Sequence, residues 1–262
     1  MTQIQQIVGK EIPKEVTMVI AVLQGASFEA FMVGGCVRDL IMGVKPKDFD
    51  ITTNATPEEI IKLFPKTFYE NDYGTVGVVT CGEDLGTVCS DVTAKIVEVT
   101  PYRIESTYKD NRHPDSVVWS KNIEDDLQRR DFTMNAIAYN PVTGETVDPF
   151  DGILDIQRKV IRAVGDPDAR FKEDGLRLMR AIRFMSQLDF DIEIVTRESI
   201  EKNSQLIKNI SHERVREEFV KLIMTDHPMR GLILMKETGL LTHVIPELER
   251  GIGVMQNQAH GF

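Results

Sequence analysis

Positive charge, cysteine and long hydrophobic runs are all scarce in this chain. Its 262 residues include 31 lysines and arginines against 41 aspartates and glutamates, so the net charge is −10. That balance argues against a protein coated in positive charge for binding nucleic acid, but it leaves room for a local basic track. No run reaches the about 18 apolar residues of a membrane-spanning helix. The polar N-terminus also lacks the basic-then-apolar order of a signal peptide, so we expect no membrane partner.

The three cysteines, Cys36, Cys81 and Cys89, form an odd number without metal-ligand spacing. They are typical of reduced thiols in a cytoplasmic protein. The hydrophobic fraction of 42% and the charged fraction of 27% are ordinary for a globular chain with one or two domains.

Two aspartates separated by a single residue are the most informative feature. Asp48 and Asp50 follow a Gly34-Gly35 turn, and a strand is predicted over 48–52. Because strand side chains alternate between faces, both carboxylates would point the same way and repel each other. Mg²⁺ accepts one or two carboxylates and completes its shell with substrate phosphates, which glycine allows a backbone to approach. The spacing favours this site over the alternative, a glycine turn followed by a solvated acidic loop.

Arginines near this pair are candidates for phosphate binding. Arg38 follows the glycines and would neutralise phosphate charge. Arg129 and Arg130 follow acidic residues in a helix predicted over 122–138, so ion pairs within the helix are the simpler explanation for them. The alternative places Arg130 on a triphosphate. It gives Asn135, a poor helix former, a buried polar role that fixes the metal-binding strands.

A third group, Asp174, Arg177, Arg180 and Arg183, lies in one predicted helical stretch. Asp174 and Arg177 would be neighbours on one helix face, and most such pairs are surface ion pairs. A carboxylate beside a guanidinium also matches the amino group and ring-nitrogen acceptor of cytosine and adenine. Guanine and uracil instead present an N–H donor and a carbonyl acceptor in the opposite order. At about 1–3 kcal/mol per unsatisfied buried group, two mismatches would reject them by about 10²–10⁴-fold.

A fourth stretch, Ser211-His212-Glu213-Arg214, begins another predicted helix. Ser211 is a good N-cap residue, and Arg214 and Glu218 have the i,i+4 spacing of an ion pair. We favour a structural role here, in which this helix braces the one before it.

The coarse pattern changes near residue 165 from α+β to all-α. The first part contains a helix over 14–30, a helix from Thr56-Pro57 to about Phe64, β-rich segments over 75–80 and 87–100, a mobile loop over 101–121 and a short strand over 160–164. From Pro167 onwards only helices are expected, with breaks near Asp189, Ser211, His227 and Gly239.

Together these motifs resemble those of the class II tRNA nucleotidyltransferases, the CCA-adding enzymes, and of the related bacterial poly(A) polymerases. The resemblance covers about residues 31–250. In order it comprises Gly34, Gly35, Arg38, Asp48 and Asp50, then Arg129 to Ala136, Asp148-Pro149-Phe150-Asp151-Gly152, Glu173-Asp174 with Arg177, and Ile210-Ser211 with Glu213-Arg214.

The resemblance implies an α+β head, with the mixed sheet and helices of a polymerase-β-like nucleotidyltransferase, followed by an all-α neck and body. It assigns an N-terminal helix to 1–30, the head to 31–165, and a neck and body that bind RNA and nucleotide to 166–262. The implied activity is addition of CCA, or of the terminal A, to tRNA 3′ ends from CTP and ATP by two-metal transfer. Asp48 and Asp50 are the implied catalytic and Mg²⁺-binding residues. The implied nucleotide-binding residues are Gly35, Arg38, Arg130, Asp174, Arg177, Arg180 and Arg183, with Glu98 as a candidate third acid.

Three segments refine the resemblance. Residues 101–121 resemble the flexible loop that A addition requires, which disfavours a CC-only enzyme. Residues 68–76 resemble the CCA-adding version rather than the basic segment of poly(A) polymerases. The ending at 256–260 resembles the lead-in to a metal-dependent phosphohydrolase (HD-type) domain, so we expect a fragment cut before a tail or such a domain. A poly(A) polymerase, whose product would not stop at three nucleotides, and a non-catalytic RNA-binding module are the alternatives.

Overall fold

The computed structural model describes residues 12–69, 74–80, 95–105 and 117–254. These residues belong to two compact units, with the boundary between Arg158 and Lys159. Within the described ranges, no helix is long and apolar enough to cross a bilayer. Cys36 is a buried free thiol, and its burial raises its pKa to about 12. Cys81 and Cys89 lie outside the described residues.

A seven-stranded mixed sheet forms the centre of the first unit. Its strands are β1 (Ala30–Val33), β2 (Asp50–Thr53), β3 (Thr67–Tyr69), β4 (Val76–Thr80), β5 (Lys95–Pro101), β8 (Ala138–Tyr139) and β9 (Thr146–Val147). Their order is β3-β4-β5-β2-β1-β8-β9. The β2 and β5 strands are parallel, and the other neighbours in the sheet are antiparallel.

The helices of this unit are α1 (Lys14–Gly25), α2 (Gly35–Ile41), α3 (Pro57–Leu63), α4 (Ile123–Gln128) and α5 (Gly152–Arg158), with a 3-10 turn at Thr133–Asn135. Helix α1 buries the predicted apolar stripe, Val16, Val19, Ile20 and Leu23. Helix α3 begins with the predicted capping box, because Thr56 and Glu59 each accept a hydrogen bond from the other's backbone N–H.

Helices α1 and α3 cover one face of the sheet. Helix α1 contacts β1, β2 and β5, and α3 contacts β4 and β5. The buried side chains of Ile51, Val97 and Val99 belong to that face. Since strand side chains alternate, Asp50 in β2 and the exposed Glu98 in β5 point to the opposite face.

Three predicted boundaries in this unit are wrong. Helix α1 ends at Gly25 rather than near residue 30, because the chain turns at Ser27, with φ of 67°, to enter β1. The helix predicted over 122–138 ends at Gln128. After it, a buried stretch over 131–140, with both apolar and polar residues, leads the chain into β8, which pairs with β1. The loop predicted over 101–121 has ordered ends, since β6 (Arg103–Glu105) pairs antiparallel with β7 (Val117–Trp119). Its centre, 106–116, lies outside the described residues.

The second unit is helical apart from one short strand pair. Its helices are α6 (Pro167–Glu173), α7 (Leu176–Leu188), α8 (Ile194–Asn203), α9 (His212–Ile223), α10 (Pro228–Glu237), α11 (Leu240–Val244) and α12 (Pro246–Arg250), with a 3-10 turn over Ser204–Asn209. The predicted breaks near Asp189, Ser211, His227 and Gly239 are confirmed.

Two features of this unit were not predicted. A helix break separates Glu173, the last residue of α6, from Leu176, the first residue of α7. A second strand, β11 (Asp191–Ile192), pairs parallel with β10 (Val160–Ile161). Helix α7 packs against α9 and α10 and forms the core of the unit.

Candidate active site

The Gly-Gly turn joins β1 directly to α2. Gly34 has φ of 81° and ψ of −137°, a conformation that residues with a Cβ rarely adopt. A Cβ at this position would also lie only 3.1 Å from Nη1 of Arg130. Glycine suits this position for two reasons: it adopts these backbone angles, and it lets the guanidinium of Arg130 approach closely.

Asp50 opens β2 beside this turn. It is paired with Val33, the last residue of β1, and with Glu98 in the parallel strand β5. Asp48 lies two residues before the strand and is exposed, so the strand predicted over 48–52 begins later, at Asp50. Because Asp48 lies outside the strand, the alternation of strand side chains does not establish that the carboxylates of Asp48 and Asp50 point the same way.

The pKa of Asp50 reflects its burial and its charged neighbours. Burial raises the pKa of the Asp50 carboxyl, the charge of Arg130 partly offsets that rise, and the charge of Asp48 adds to it. Burial and the negative charge of Asp48 thus destabilise the ionised carboxylate of Asp50, and the positive charge of Arg130 partly offsets that destabilisation.

A divalent cation fits these donors. Within the described ranges no group of three or more histidine, cysteine, aspartate or glutamate side chains is suited to hold a metal. Mg²⁺ needs only one or two protein carboxylates when substrate phosphates complete its shell, and its charge would relieve the repulsion between Asp48 and Asp50. Glu98 lies in register with Asp50 on the same sheet face, and its role as a third acid stays a prediction.

Arg130 is held in place by a buried carboxylate. Asp126 is 0% exposed. It accepts hydrogen bonds from Nη2 of Arg130 at 3.0 Å, from Nε and Nη2 of Arg129 at 2.9 and 2.6 Å, and from Oγ1 of Thr52 at 3.3 Å. Burial alone would raise the pKa of Asp126, but the two arginines hold it below its ordinary value. The predicted ion pairs within this helix are confirmed, and within the described part of the chain they leave Nε of Arg130 buried without a hydrogen-bond partner.

Arg38 is part of a buried polar network. Its Nη1 donates to Oδ1 of Asn135 at 2.8 Å, and its Nε and Nη2 donate to Oδ1 of Asp39 at 2.9 and 2.6 Å. Asn135 in turn donates through Nδ2 to Oδ1 of Asp131 at 3.0 Å. Asn135 lies in the 3-10 turn rather than mid-helix, and it joins α2 to the segment that carries Arg130.

The Asp148-Pro149-Phe150-Asp151-Gly152 stretch is a helix start. The Asp148 carboxylate accepts from the backbone N–H groups of Gly152 at 2.7 Å and Ile153 at 2.9 Å, at the beginning of α5. Thr133 Oγ1 then donates to Asp155 in α5 at 2.5 Å. These contacts anchor the 3-10 turn that holds Asn135.

In the second unit, Asp174 lies at the break between α6 and α7. It therefore does not share a helix face with Arg177, contrary to prediction. Its Oδ2 accepts from Nη2 of Arg214 at 2.8 Å, and its Oδ1 accepts from Nη1 of Arg214 at 3.3 Å and from the N–H of Leu176 at 3.0 Å. Arg177 pairs instead with Glu173, whose Oε2 lies 2.6 Å from its Nη1.

The other two arginines of α7 face Glu218 of α9. Nε of Arg183 donates to Oε2 of Glu218 at 2.5 Å, with only 9% and 4% of these side chains exposed. Arg180 is more accessible, and its Nη1 lies 3.6 Å from Oε1 of Glu218. Both guanidinium groups lie over the ring of Phe184, at 5.4 Å for Arg180 and 4.0 Å for Arg183. A nucleotide-binding role for these arginines stays a prediction.

Helix α9 does brace the preceding helices, through Arg214 and Glu218. The predicted i,i+4 ion pair between those two residues is replaced by contacts to α7 and its N-terminal break. Ser211 occupies the N-cap position, but its side chain makes no capping hydrogen bond. The sequence did not predict that Glu173 pairs with Arg177 or Glu218 with Arg183, and it offered Asp126 only as one of the acidic helix residues before Arg129 and Arg130.

The mixed sheet and the Gly-Gly turn lie in a part of the chain that matches a known protein family. Residues 30–162, about half of the chain, match the family described as Poly A polymerase head domain. Residues 189–252 match the family described as Probable RNA and SrmB-binding site of polymerase A. The chain belongs to this family of poly(A) polymerases and CCA-adding enzymes.

Several relatives are CCA-adding enzymes. The enzyme of Lactobacillus helveticus is 45% identical over 223 residues, which are 85% of this chain and 53% of that protein. The enzyme of Geobacillus thermodenitrificans is 42% identical over 233 residues, 89% of this chain and 55% of that protein. The crystal structure of the Bacillus stearothermophilus CCA-adding enzyme in complex with CTP has a TM-score of 0.74 and 38% identity, covering 92% of this chain and 53% of that one. This chain spans about half the length of these proteins.

Proposed function

We propose that this chain carries out nucleotidyl transfer to the 3′ end of tRNA, adding CCA or its terminal A from CTP and ATP. The observation that carries the proposal is that a carboxylate and a guanidinium meet at the Gly-Gly turn: Oδ2 of Asp50 and Nη1 of Arg130 lie 4.0 and 3.1 Å from the position that a Cβ would take at Gly34. Such an arrangement binds cations and phosphates together. The relatives that are CCA-adding enzymes, one of them in complex with CTP, support the choice of substrates.

In this proposal Asp48 and Asp50 hold Mg²⁺. When bound, Mg²⁺ would activate the RNA 3′-hydroxyl and stabilise the departing pyrophosphate. The backbone at Gly35 and the guanidinium of Arg130 bind the triphosphate. The buried Nε of Arg130, which has no hydrogen-bond partner among the described residues, is suited to a phosphate oxygen. Asp126 and Asn135 are positioning residues, because they hold Arg130 and Arg38.

Base selection is proposed for the second unit. Asp174 and Arg177 are each fixed by an ion pair, with Arg214 and Glu173 respectively. A carboxylate accepts from the amino group of cytosine or adenine, and a guanidinium donates to the ring nitrogen. Arg180 and Arg183 are proposed to line the same nucleotide site. The proposed division is a head over 31–165 and a neck and body over 166–262.

The cytoplasm is the proposed place of action. The odd number of cysteines without metal-ligand spacing supports that proposal, because it is typical of thiols kept reduced in the cytoplasm.

The experiment that tests the proposal uses tRNAs with defined ends and labelled CTP or ATP. We expect tRNA that lacks only the last nucleotide to be extended by one A and the product to stop there. Extension of tRNA that lacks two or three nucleotides would show addition of CCA, and its absence would show addition of the terminal A alone. A long ladder of adenylates from ATP alone would instead support a poly(A) polymerase. No incorporation at any Mg²⁺ concentration, with RNA binding retained, would support a non-catalytic RNA-binding module.

A further inference from the structure

One row of residues crosses four strands of the sheet in the first unit. Asp50 in β2 is paired with Glu98 in β5, Glu98 with Gly77 in β4, and Gly77 with Phe68 in β3. Residues paired across neighbouring strands project to the same face of a sheet. The row therefore lies on the face opposite α1 and α3, and it leads from the acidic pair to an aromatic side chain.

The Phe68 ring lies flat over Gly77. A Cβ at Gly77 would come within 2.5, 2.8 and 2.9 Å of its Cζ, Cε1 and Cε2 atoms. The ring thus covers the position that has no side chain, and 39% of the residue stays exposed. Ile96, two residues before Glu98 on the same face of β5, is 57% exposed. One face of the Phe68 ring is packed on Gly77, and the residue stays partly exposed on a sheet face that also carries the exposed Ile96.

The distance between Asp50 and the ring of Phe68 is close to the length of one nucleotide. Neighbouring strands are about 4.8 Å apart, so the backbones of Asp50 and Phe68 are about 14 Å apart across three steps. The ring reaches back by one strand, to β4, and Glu98 alone lies between it and Asp50 in the row. A nucleotide with its sugar at Asp50 and its base plane towards β4 would span this interval.

We propose that Phe68 stacks on the base of the 3′-terminal RNA nucleotide whose hydroxyl is presented to Asp50; this inference rests on the proposed function. Phe68 is an uncharged ring that is 39% exposed, so the uncharged face of a base, rather than a phosphate, is the part of RNA that suits it. During CCA addition the terminal base changes at each step. An aromatic ring accepts any base, because every base has a π-face.

The test measures a spectroscopic signal as well as activity. A short RNA carries 2-aminopurine at its 3′ end, and stacking quenches its fluorescence. We expect quenching with the wild-type chain and with Phe68→Tyr, and its loss with Phe68→Ala and Phe68→Leu. The KM for tRNA should rise by about 5- to 100-fold in the last two variants, while the Kd for CTP measured without RNA stays within about twofold of the wild-type value.

Tyr69→Ala is the matched control, since Tyr69 is an exposed aromatic residue on the same strand that points to the opposite face. It should leave quenching and KM unchanged. Phe68→Leu keeps an apolar side chain over Gly77. Quenching and a KM for tRNA equal to those of the wild-type chain in this variant would show that Phe68 only packs on the sheet, and would overturn the inference. Persistent quenching in Phe68→Ala would overturn it as well. If the wild-type chain transfers no nucleotide, the proposed function fails, and the quenching still decides whether Phe68 binds a base.

Discussion

Arg214 binds both carboxylate oxygens of Asp174, although 40 residues separate them in the chain. Asp174 was expected to pair with Arg177 within one helix. Instead a helix break isolates it, and α9 supplies the guanidinium that fixes its orientation. The proposed base-reading carboxylate is therefore set by a residue outside the local motif.

Arg214→Ala should weaken base selection. Without the two hydrogen bonds from Arg214, the Asp174 carboxylate keeps, among the described residues, only the hydrogen bond from the backbone N–H of Leu176, so its orientation is no longer fixed. We expect the preference for CTP and ATP over UTP and GTP, measured as a ratio of kcat/KM values, to fall by about tenfold. Arg216→Ala, an exposed arginine in the same helix, serves as the control. An unchanged ratio in Arg214→Ala would mean that this ion pair only supports the fold.

Gly34→Ala should impair nucleotide binding through Arg130. The added Cβ would lie 3.1 Å from Nη1 of that residue and force it to move. Gly43→Ala is a matched control, because Gly43 also has a positive φ, 72°, but no atom lies within 4 Å of an added Cβ. Both variants should lose about 1–3 kcal/mol of stability from the backbone conformation. Only Gly34→Ala should raise the KM for CTP, by roughly tenfold; the same rise in both would contradict a specific contact with Arg130.

Asp50→Asn and Asp126→Asn should change the melting temperature in opposite directions at pH 7 without Mg²⁺. The pKa of Asp50 is raised above its ordinary value of 3.8, so its ionised form destabilises the fold once the pH exceeds that value. The pKa of Asp126 is lowered, so its ionised form stabilises the fold at neutral pH, and that contribution is lost as the pH falls through its folded value. Asp50→Asn should therefore melt higher than wild type and Asp126→Asn lower.

The Asp50→Asn difference should disappear below about pH 3.8, where the wild-type carboxyl is protonated in both the folded and unfolded states. Thermal unfolding followed by circular dichroism from pH 3 to pH 8 would measure both effects. A lower melting temperature for Asp50→Asn at pH 7 would contradict the description of Asp50 as a carboxylate whose ionised form is destabilised by burial and by the charge of Asp48.

Glu218→Ala should strongly destabilise the second unit. It removes the carboxylate that Nε of the buried Arg183 contacts, and breaking a buried ion pair costs about 3–5 kcal/mol. Glu237→Ala breaks an exposed pair with Arg197 and should cost less than about 1 kcal/mol. Urea unfolding curves would compare the two variants. Equal losses would show that the Arg183–Glu218 pair is not a structural tie between α7 and α9.

Features determined by neighbouring residues could be predicted from the sequence. The apolar stripe of α1 and the capping box of α3 are local patterns, and both are confirmed. The helix predicted beyond Gln128 failed because pairing of β8 with β1, about 100 residues earlier in the chain, outweighs local helical preference. The two-residue strand β11 is too short to leave a periodic signal.

The candidate site shows the same division. The sequence points to Asp48, Asp50 and Arg130, because their motifs are short and ordered. It does not reveal which groups hold them or their partners. Asp126 looks like one of several acidic helix residues but is completely buried. Arg214 and Glu218 contact residues 40 and 35 positions away, which only the folded helices bring together.

The most direct test of the central claim is transfer of labelled CMP and AMP to a defined tRNA by Asp48→Asn and Asp50→Asn. Each substitution keeps the size and polarity of the side chain and removes one negative charge, so the fold should persist while Mg²⁺ binding is lost. We expect incorporation by either variant to fall at least about 1000-fold below wild type, with circular dichroism spectra unchanged. Incorporation within a few-fold of wild type by either variant would contradict the assignment of the acidic pair as the catalytic metal site.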